Sequence, residues 1–553
     1  MKQLSYLILL FPLLLVSCLD ETAKDRLTED ETYTSASSLY INAVATLYNY
    51  IGGNQDSQGL QGTYRGVYDY NTFSSDEAII PIRGGDWYDG GFWENLYTHN
   101  WSASDESLYN TWQYLYKVVV LCNQSLAIID KNKSLLTDIQ YQSFRAEVRA
   151  LRALYYAYIM DMYGNVPIAS STDTNNTTGE NAKQYSRPAV FRYIFSELQE
   201  VEPLLPDEHS NYEGKYYGRV TRPVANFILA KLALNAEIYS DSIWTDNHQP
   251  DGKNIFFTVD GKHLNAWQTC IAYCDKIKDE GYTLANNYAS NFYIHNQNSP
   301  ENIFTIPMDK TLYSNQYQYL FRSRHYAQGS AMGMASENGT CATISTIHAY
   351  GYGTDSVDTR YAINFFSDTV RINGDIVKLD NGKPLVYKPL EVKTDLTGSP
   401  YMQTAGAREK KYETDLTAYN DGKNIDNDIV LYRYADVLLM KAEAEVRNGG
   451  DGDQELNEVR SRAGMPYRKA TLENILTERL LELMWEGWRR QDLIRFDLFH
   501  KSYDLRTASE KEADRHTIVF PIPQKVLDLN PSFIQNKGYY KEISEANEKF
   551  GCP

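Results

Sequence analysis

Long amphipathic helical segments constrain the fold of this chain more than any other feature. From residue 141 to 162, apolar side chains recur at three- and four-residue spacing until Gly164 and Pro167 end the run. A second such segment covers 188–202 and is closed by Pro203. Strand patterns are far fewer, so the sequence predicts a mainly α fold. The same periodicity predicts further helices over 108–130, 225–239, 266–280, 431–447, 454–463 and 471–490.

Small residues in these helices indicate how they pack. Ala230, Ala233 and Ala236 lie along the segment 225–239, where they permit close approach of a neighbouring helix. Such alanines in paired helices joined by short loops are typical of tetratricopeptide-like repeats, although the helix starts do not recur at a spacing of about 34 residues. We therefore predict a degenerate helix-pair solenoid, an α/α superhelix, with its helical scaffold at about 41–51, 106–280 and 431–500.

Two long regions interrupt the helical pattern. Residues 52–105 and about 283–430 are rich in glycine, asparagine, aspartate and tyrosine. Irregular segments of this length in a compact protein usually carry function. They are therefore predicted to form a loop-rich ligand-binding region.

The first 18 residues predict export and anchoring. Lys2 and the apolar run from Tyr6 to Val16 have the layout of a signal peptide and are too short to span a bilayer. Cys18 follows in a setting that resembles the lipobox of bacterial lipoproteins, which implies a signal peptide over 1–17 and a lipidated tether over 18–40. The alternative is an ordinary cleaved signal. No later stretch reaches about 18 apolar residues, so acyl chains on Cys18 are the expected anchor.

Composition argues against nucleic acid as a partner and indicates a surface rich in tyrosine. The net charge of -18 and the lack of clustered basic residues argue against binding nucleic acid. The 45 tyrosines are about twice the usual fraction. Such an excess is common in proteins that present amphipathic aromatic rings on a solvent-exposed surface. Cys270 and Cys274, four residues apart on a predicted helix, are interpreted as packed small residues.

The strongest candidate binding segment runs from Arg83 to Trp93. Glycines flank Asp86, Trp87 and Tyr88, which allows a tight projecting loop. Flat aromatic rings stack on the apolar face of a sugar while arginine or aspartate hydrogen-bonds its hydroxyl rim. We therefore predict that Arg83, Asp86, Trp87, Tyr88 and Trp93 contact the ligand. The competing interpretation is that Trp93 and Trp101 plug the loop against the helices.

A second, weaker candidate is the segment from Tyr313 to Tyr326. Tyr317 and Tyr319 are its predicted ligand contacts, and Arg322 and Arg324 follow. The alternating pattern also fits a half-buried strand, which we favour for this segment.

Signatures of catalysis are nearly absent from the sequence. It contains neither a His-Glu-x-x-His motif, nor Gly-x-Ser-x-Gly, nor a glycine-rich phosphate loop, and its nine histidines show no ligand spacing. We therefore expect no enzyme activity, no cofactor and no metal. Paired carboxylates for glycoside hydrolysis leave no sequence signature, so a hydrolase remains an alternative.

Several motifs identify a family. The segments LYRYADVLLMKAEA (431–444), LNEVRSRAG (456–464), ILTERLLELMWEG (475–487) and FPIPQ (520–524) follow one another in the order seen in the starch-utilisation-system D (SusD/RagB) lipoproteins. RALRALYY (149–156) with YGNVP (163–167) resembles the family's N-terminal signature helix. We interpret Glu478, Arg479, Trp485, Arg489 and Arg490 in these motifs as structural.

The resemblance implies a cell-surface lipoprotein of the outer membrane, with a SusD-like domain over 41–553 built on four tetratricopeptide-like helix pairs. It further implies capture of oligosaccharides for a partner SusC-like TonB-dependent transporter. Asp20, Glu21 and Asp25 resemble the acidic export signal of such lipoproteins, or they form a solvated tether. The loop from Arg83 resembles the arginine- and tryptophan-bearing segment of the starch-binding relative. Some relatives take peptides instead, so peptide capture stays open as an alternative.

Overall fold

The computed structural model describes residues 32–52, 58–62, 65–169, 183–312, 317 and 321–539. Its longer helices are α1 (Glu106–Lys131), α2 (Asp138–Tyr163), α3 (Arg187–Val201), α4 (Arg222–Leu234), α5 (Ala266–Asp279), α6 (Tyr434–Asn448), α7 (Asp453–Arg462), α8 (Leu472–Leu483) and α9 (Arg489–Arg495). Shorter helical segments are Ala36–Leu39, Tyr40–Ala45, Thr46–Gly52, Val67–Phe73, Phe92–Tyr97, Ala236–Tyr239, Tyr326–Met332, Ile344–Ala349, Tyr361–Asn364 and Gln524–Leu529.

The scaffold helices pack in the order in which the chain presents them. Helix α1 packs on α2, α2 on α3, α3 on α4, α4 on α5 and α5 on α6, and α6 then contacts both α7 and α8. Local sequence sets the ends of these helices: Thr137 and Gln140 form a capping box at the start of α2, and Pro188 and Pro223 occupy the first turns of α3 and α4. The predicted mainly α, helix-pair architecture is confirmed.

Two helix predictions in the C-terminal third were wrong in detail. Residues 431–433, predicted as helix, belong to the strand Ile429–Arg433, which pairs antiparallel with Asn302–Ile306. The segment predicted as one helix over 471–490 is broken after Leu483, because Trp485 has a φ of 67° and its backbone N–H donates to the Glu77 carboxylate. A contact with a distant residue therefore overrides a locally helical sequence.

The remaining regular structure consists of small antiparallel strand pairs within the described residues. None of the pairs is longer than five residues on a strand, so the sheets clamp loops together and do not build a separate layer. The pairs are Ala78–Ile79 with Cys341–Ala342, Val166–Pro167 with Gln184–Tyr185, Phe256–Val259 with Lys262–Asn265, Asn302–Ile306 with Ile429–Arg433, Phe365–Phe366 with Arg408–Glu409, Asp368–Thr369 with Val386–Tyr387, and Arg371–Ile372 with Asp375–Ile376.

A buried ion-pair cluster joins the irregular region to the scaffold. The Glu482 carboxylate of α8 contacts Arg433 at 2.5 Å and Arg360 at 2.7 Å, and it also pairs with Arg462 of α7. Glu301 completes the cluster through Arg433 at 2.8 Å. All five side chains are almost fully buried, so removal of one partner would leave an uncompensated charge in the interior.

The other family-motif residues also serve the scaffold. Glu478 pairs with Arg460, Arg479 with Asp436 and Asp492, Arg489 with Asp76, and Arg490 with Asp161, while the Trp485 ring is buried. Their interpretation as structural residues is confirmed. Cys270 and Cys274 are both buried free cysteines, as their interpretation as packed residues requires.

The described chain begins close to the scaffold. The helical segment starts at Ala36, Leu39 is buried, and the Tyr40 hydroxyl donates to Glu147 of α2 at 3.0 Å, so the last residues of the predicted 18–40 tether are already packed. Cys18, Asp20, Glu21 and Asp25 lie outside the described residues. Among the helices of the described part, none has both the length and the apolar character needed to cross a membrane.

Candidate functional site

The loop predicted to project from the surface begins at a tight turn. Ala78–Ile79 pairs with Cys341–Ala342, and three residues after Ile79 the buried Ile82 donates its N–H to the Thr394 carbonyl, so two distant segments hold the chain just before the loop. Arg83 and Asp86 then close the turn through reciprocal backbone hydrogen bonds of 3.0 and 3.4 Å.

The backbone of this loop is left-handed at several positions. The φ angle is 71° at Gly84, 67° at Gly90 and 83° at Gly91, where glycine adopts it without strain. Trp87 and Asp89 also have positive φ, at 65° and 44°. Because such angles are unfavourable for residues with a Cβ, tertiary contacts must hold the loop in place.

Arg83 does not reach the surface, which corrects its assignment as a ligand contact. Its guanidinium is 1% exposed and donates to the carbonyls of Met402 at 2.8 Å, Ala405 at 3.0 Å and Gly339 at 3.3 Å. Burial, together with the nearby charge of Arg408, lowers the pKa of Arg83 to about 9. Arg83 therefore fixes the base of the loop against two other segments.

Trp87 is half-buried, which is intermediate between an exposed ligand-binding ring and a ring that plugs the loop against the core. Its Nε1–H donates to the Glu337 carbonyl at 3.0 Å, and its ring meets Trp93 edge-on at a centroid distance of 6.0 Å. The indole lies directly over Gly339, where an added Cβ would be 2.6 Å from it, so this position requires glycine. One side of the ring is thus packed, and the rest stays accessible to solvent.

Tyr88 and Asp86 are the most exposed of the predicted ligand residues. The Tyr88 side chain is 58% exposed, and Asp86 is also on the surface. The Asp86 carboxylate accepts a hydrogen bond of 3.2 Å from the Tyr326 hydroxyl, and that hydroxyl also lies 3.3 Å from the Glu337 carbonyl. Tyr326 itself is 46% exposed and, like Trp87, it contacts the Glu337 carbonyl. We call Asp86, Trp87 and Tyr326, together with Tyr88, which follows Trp87 in the chain, the aromatic face.

The other predicted ligand residues lie elsewhere. Trp93 is buried, with its Nε1–H donating to Asp89 at 2.8 Å, and Trp101 is also buried, so both plug the loop against the core. Tyr317 is buried as well, and its assignment as a ligand contact is corrected for the same reason. Tyr319 lies outside the described residues.

The strand predicted for Tyr313 to Tyr326 is not found in the part of this segment that the structure describes. Residues 321–322 are helical and a turn leads into the helix Tyr326–Met332. Arg322 is buried and forms an ion pair of 2.7 Å with Asp69. This segment therefore contributes Tyr326, at its very end, to the accessible surface.

A groove with a volume of about 590 Å³ opens beside Tyr326. We call it the His325 groove. None of its walls comes from the loop at Arg83. Apart from Tyr326, the lining residues form no motif in the sequence, and only the fold brings them together, so sequence reasoning missed them. The groove is lined by His325, Tyr326, Ala327, Ser330, Leu379, Asp380, Asn381, Gln403 and Thr404.

The aromatic face and the His325 groove suit reversible binding of a polar molecule with apolar faces. Rings supply stacking surfaces, while the hydroxyl, amide and carboxylate groups around them supply hydrogen bonds. Burial, followed by the charge and hydrogen bond of Asp86, raises the pKa of Tyr326, so its hydroxyl stays protonated at neutral pH. Among the described residues, no group of three or more His, Cys, Asp or Glu side chains is arranged to hold a metal ion.

Comparisons with known proteins relate both halves of the chain to one family. A family model described as the SusD family matches residues 300–539, and a second, described as "Starch-binding associating with outer membrane", matches residues 54–234. The starch-binding protein SusD of Bacteroides thetaiotaomicron is 24% identical over 522 residues, which is 87% of this chain and 87% of that protein. A SusD-like protein of Bacteroides ovatus is 25% identical over 504 residues, 88% of this chain and 80% of that protein.

A solved structure confirms the fold. Surface glycan-binding protein A from Bacteroides thetaiotaomicron, in complex with laminarihexaose, superposes with a TM-score of 0.67 at 22% identity and covers 91% of this chain and 100% of its own.

Proposed function

Because the chain belongs to the SusD/RagB family, we propose that it is a non-catalytic glycan-binding lipoprotein that captures oligosaccharides at the cell surface. Its ligand would bind across the aromatic face and the His325 groove. The observation that carries this proposal is the pair of exposed tyrosines, Tyr88 and Tyr326, held beside Asp86 and a polar groove. The names of its relatives describe binding proteins, which supports a binding function over catalysis.

We further propose that acyl chains on Cys18 hold the protein in the outer membrane, facing outward. In this arrangement it would deliver oligosaccharides to a SusC-like TonB-dependent transporter. The apolar run before Cys18 and the scarcity of other apolar stretches support this part of the proposal.

Affinity electrophoresis with a panel of polysaccharides tests the binding function. Protein lacking residues 1–18 should be retarded by at least one glycan, and Tyr88→Ala should abolish most of that retardation. Retention of peptides and of no glycan would favour peptide capture instead. Release of reducing ends that is traceable to this chain would identify a hydrolase.

Fractionation of cells tests the anchor. Cys18→Ala should move the protein from membrane to soluble fractions, because a lipid anchor is the only membrane attachment we propose. A variant that stays tightly membrane-bound in cells without the transporter would contradict lipidation at Cys18.

A further inference from the structure

Two buried arginines near the His325 groove, Arg83 and Arg408, form no ion pair with a carboxylate among the described residues. Arg83 donates to the carbonyls of Met402 and Ala405, and the guanidinium of Arg408 contacts the carbonyls of Ser323 at 3.0 Å and Gln403 at 3.2 Å. Arg324 differs, because the charge of the Glu409 carboxylate acts on it. Buried Arg433 of the scaffold, by contrast, contacts three carboxylates.

The guanidinium groups of Arg83 and Arg408 lie directly behind the groove wall. Arg83 donates to the carbonyl of Met402 and Arg408 to that of the next residue, Gln403, which lines the groove. Burial lowers the pKa of His325 to about 4, and the charges of Arg408 and Arg83 contribute to the decrease, so their positive field acts on the groove itself.

Hydrogen-bond donors line the same groove. The Nδ1 atom of His325 accepts the Ala327 N–H at 3.0 Å, so the neutral ring carries its proton on Nε2. The Oε1 atom of Gln403 accepts from Asn338 at 2.6 Å, which leaves the Gln403 NH₂ group as a donor. Thr404 adds a hydroxyl.

The carboxylates near the groove offset this charge only weakly. Asp380 on the groove wall and Asp86 beside Tyr326 are exposed, where solvent and salt screen them. Burial raises the pKa of Glu409 to about 8, so this carboxyl is mostly neutral at pH 7, and burial also raises the pKa of Glu337. The buried charge next to the groove wall is therefore that of Arg83 and Arg408, which is positive.

We infer that the His325 groove binds an anionic substituent of the captured glycan, a carboxylate or a sulfate ester. This inference rests on the proposed glycan-binding function and narrows its substrate class to acidic glycans. The rings of the aromatic face would stack on the sugars, while the donors of the groove and the buried arginines behind it would select the charge.

Calorimetric titration with matched oligosaccharides tests the inference. Three ligands of the same length and linkage would be compared, one neutral, one with uronic acid units and one with sulfate esters, at low and high ionic strength. At least one anionic ligand should bind about tenfold more tightly than the neutral ligand, and added salt should reduce this difference. The anionic ligand that binds more tightly, uronic acid or sulfate ester, identifies the anion that the groove prefers.

Two variants and a control separate charge recognition from loss of structure. Arg408→Gln should weaken anionic binding by about tenfold and leave neutral binding within about twofold. Asp380→Asn changes an exposed residue and should strengthen anionic binding by about threefold, and this result tests the inference by itself if Arg408→Gln does not fold. Asp355→Asn, at an exposed residue outside the groove, should change nothing.

Three results would overturn the inference. The first is neutral binding as tight as or tighter than anionic binding, and the second is an equal loss of both in folded Arg408→Gln. The third is Asp380→Asn behaving like Asp355→Asn. Failure of all three ligands to bind would instead refute the proposed function, and the inference with it.

Discussion

Replacing Tyr88 with alanine is the most direct test of the aromatic face. Tyr88 is 58% exposed, and a tyrosine side chain presents about 200 Å², so about 120 Å² is available to a ligand. A sugar stacked on one face would cover about half of this, about 60 Å², and would bury a similar area of its own. At about 25 cal/mol per Å² the total of about 120 Å² corresponds to at most about 3 kcal/mol.

Because stacking is seldom complete, we expect Tyr88→Ala to weaken oligosaccharide binding by about 1.5 to 3 kcal/mol, a rise in Kd of about 10- to 150-fold. The free energy of unfolding should change by no more than about 0.5 kcal/mol, since an exposed ring contributes little to the core. Isothermal titration calorimetry and urea denaturation of the same preparation measure both quantities.

The matched control is Tyr467→Ala. Tyr467 is 67% exposed and its hydroxyl donates to Asp453 at the start of α7, away from the aromatic face. Its removal should leave glycan binding unchanged. If Tyr88→Ala and Tyr467→Ala bound glycan equally well, the aromatic face would not be the binding surface.

Three other predictions concern stability and its coupling to the site. Trp87→Ala should lower the free energy of unfolding by about 2 to 3 kcal/mol and also weaken binding, because the ring packs on Gly339 and Trp93 and still faces solvent; unchanged thermal melts would refute this double role. Glu482→Gln should destabilise the fold by about 3 to 5 kcal/mol in denaturant titrations, whereas exposed Glu473→Gln should be close to neutral. Burial alone would raise the pKa of Glu482, but Arg462, Arg433 and Arg360 together hold it well below its usual range, as Arg479 and Arg495 do for buried Asp492. The ionised Glu482 and Asp492 carboxylates should contribute fully to the free energy of unfolding above about pH 5, and this contribution should fall as the pH drops below about 4. A stability profile that stays flat below about pH 4 would contradict the prediction.

Much of the scaffold could be predicted because its helices are specified locally. The periodicity over 141–162, with a stop at Gly164, predicted α2 to within a few residues. The predictions fail where contacts with residues distant in sequence determine the backbone conformation. Helix α8 ends early through the contact between Trp485 and Glu77, 408 positions apart, and residues 431–433 extend because Asn302–Ile306 is available as a partner.

The binding surface was harder to predict for the same reason. Glycines and aromatic residues predicted the loop, and Tyr88 and Asp86 are exposed as that pattern suggested. Nothing near Arg83 in sequence indicates that three carbonyls at 339, 402 and 405 will bind its side chain. The groove residues Asp380 and Gln403 carry no motif, so only the folded chain brings them together.

The strand pair between Asn302–Ile306 and Ile429–Arg433 has a consequence for how this protein can diversify. It closes the base of the excursion over 307–428, so the two ends of that excursion are fixed to the scaffold whatever lies between them. Doubling the length of a closed loop costs only about 0.6 kcal/mol in chain entropy. Insertions and deletions in the exposed parts of this segment, away from buried ion pairs such as those of Arg322 and Arg360, are therefore thermodynamically inexpensive. The same helical scaffold can acquire new ligand preferences without a new folding problem.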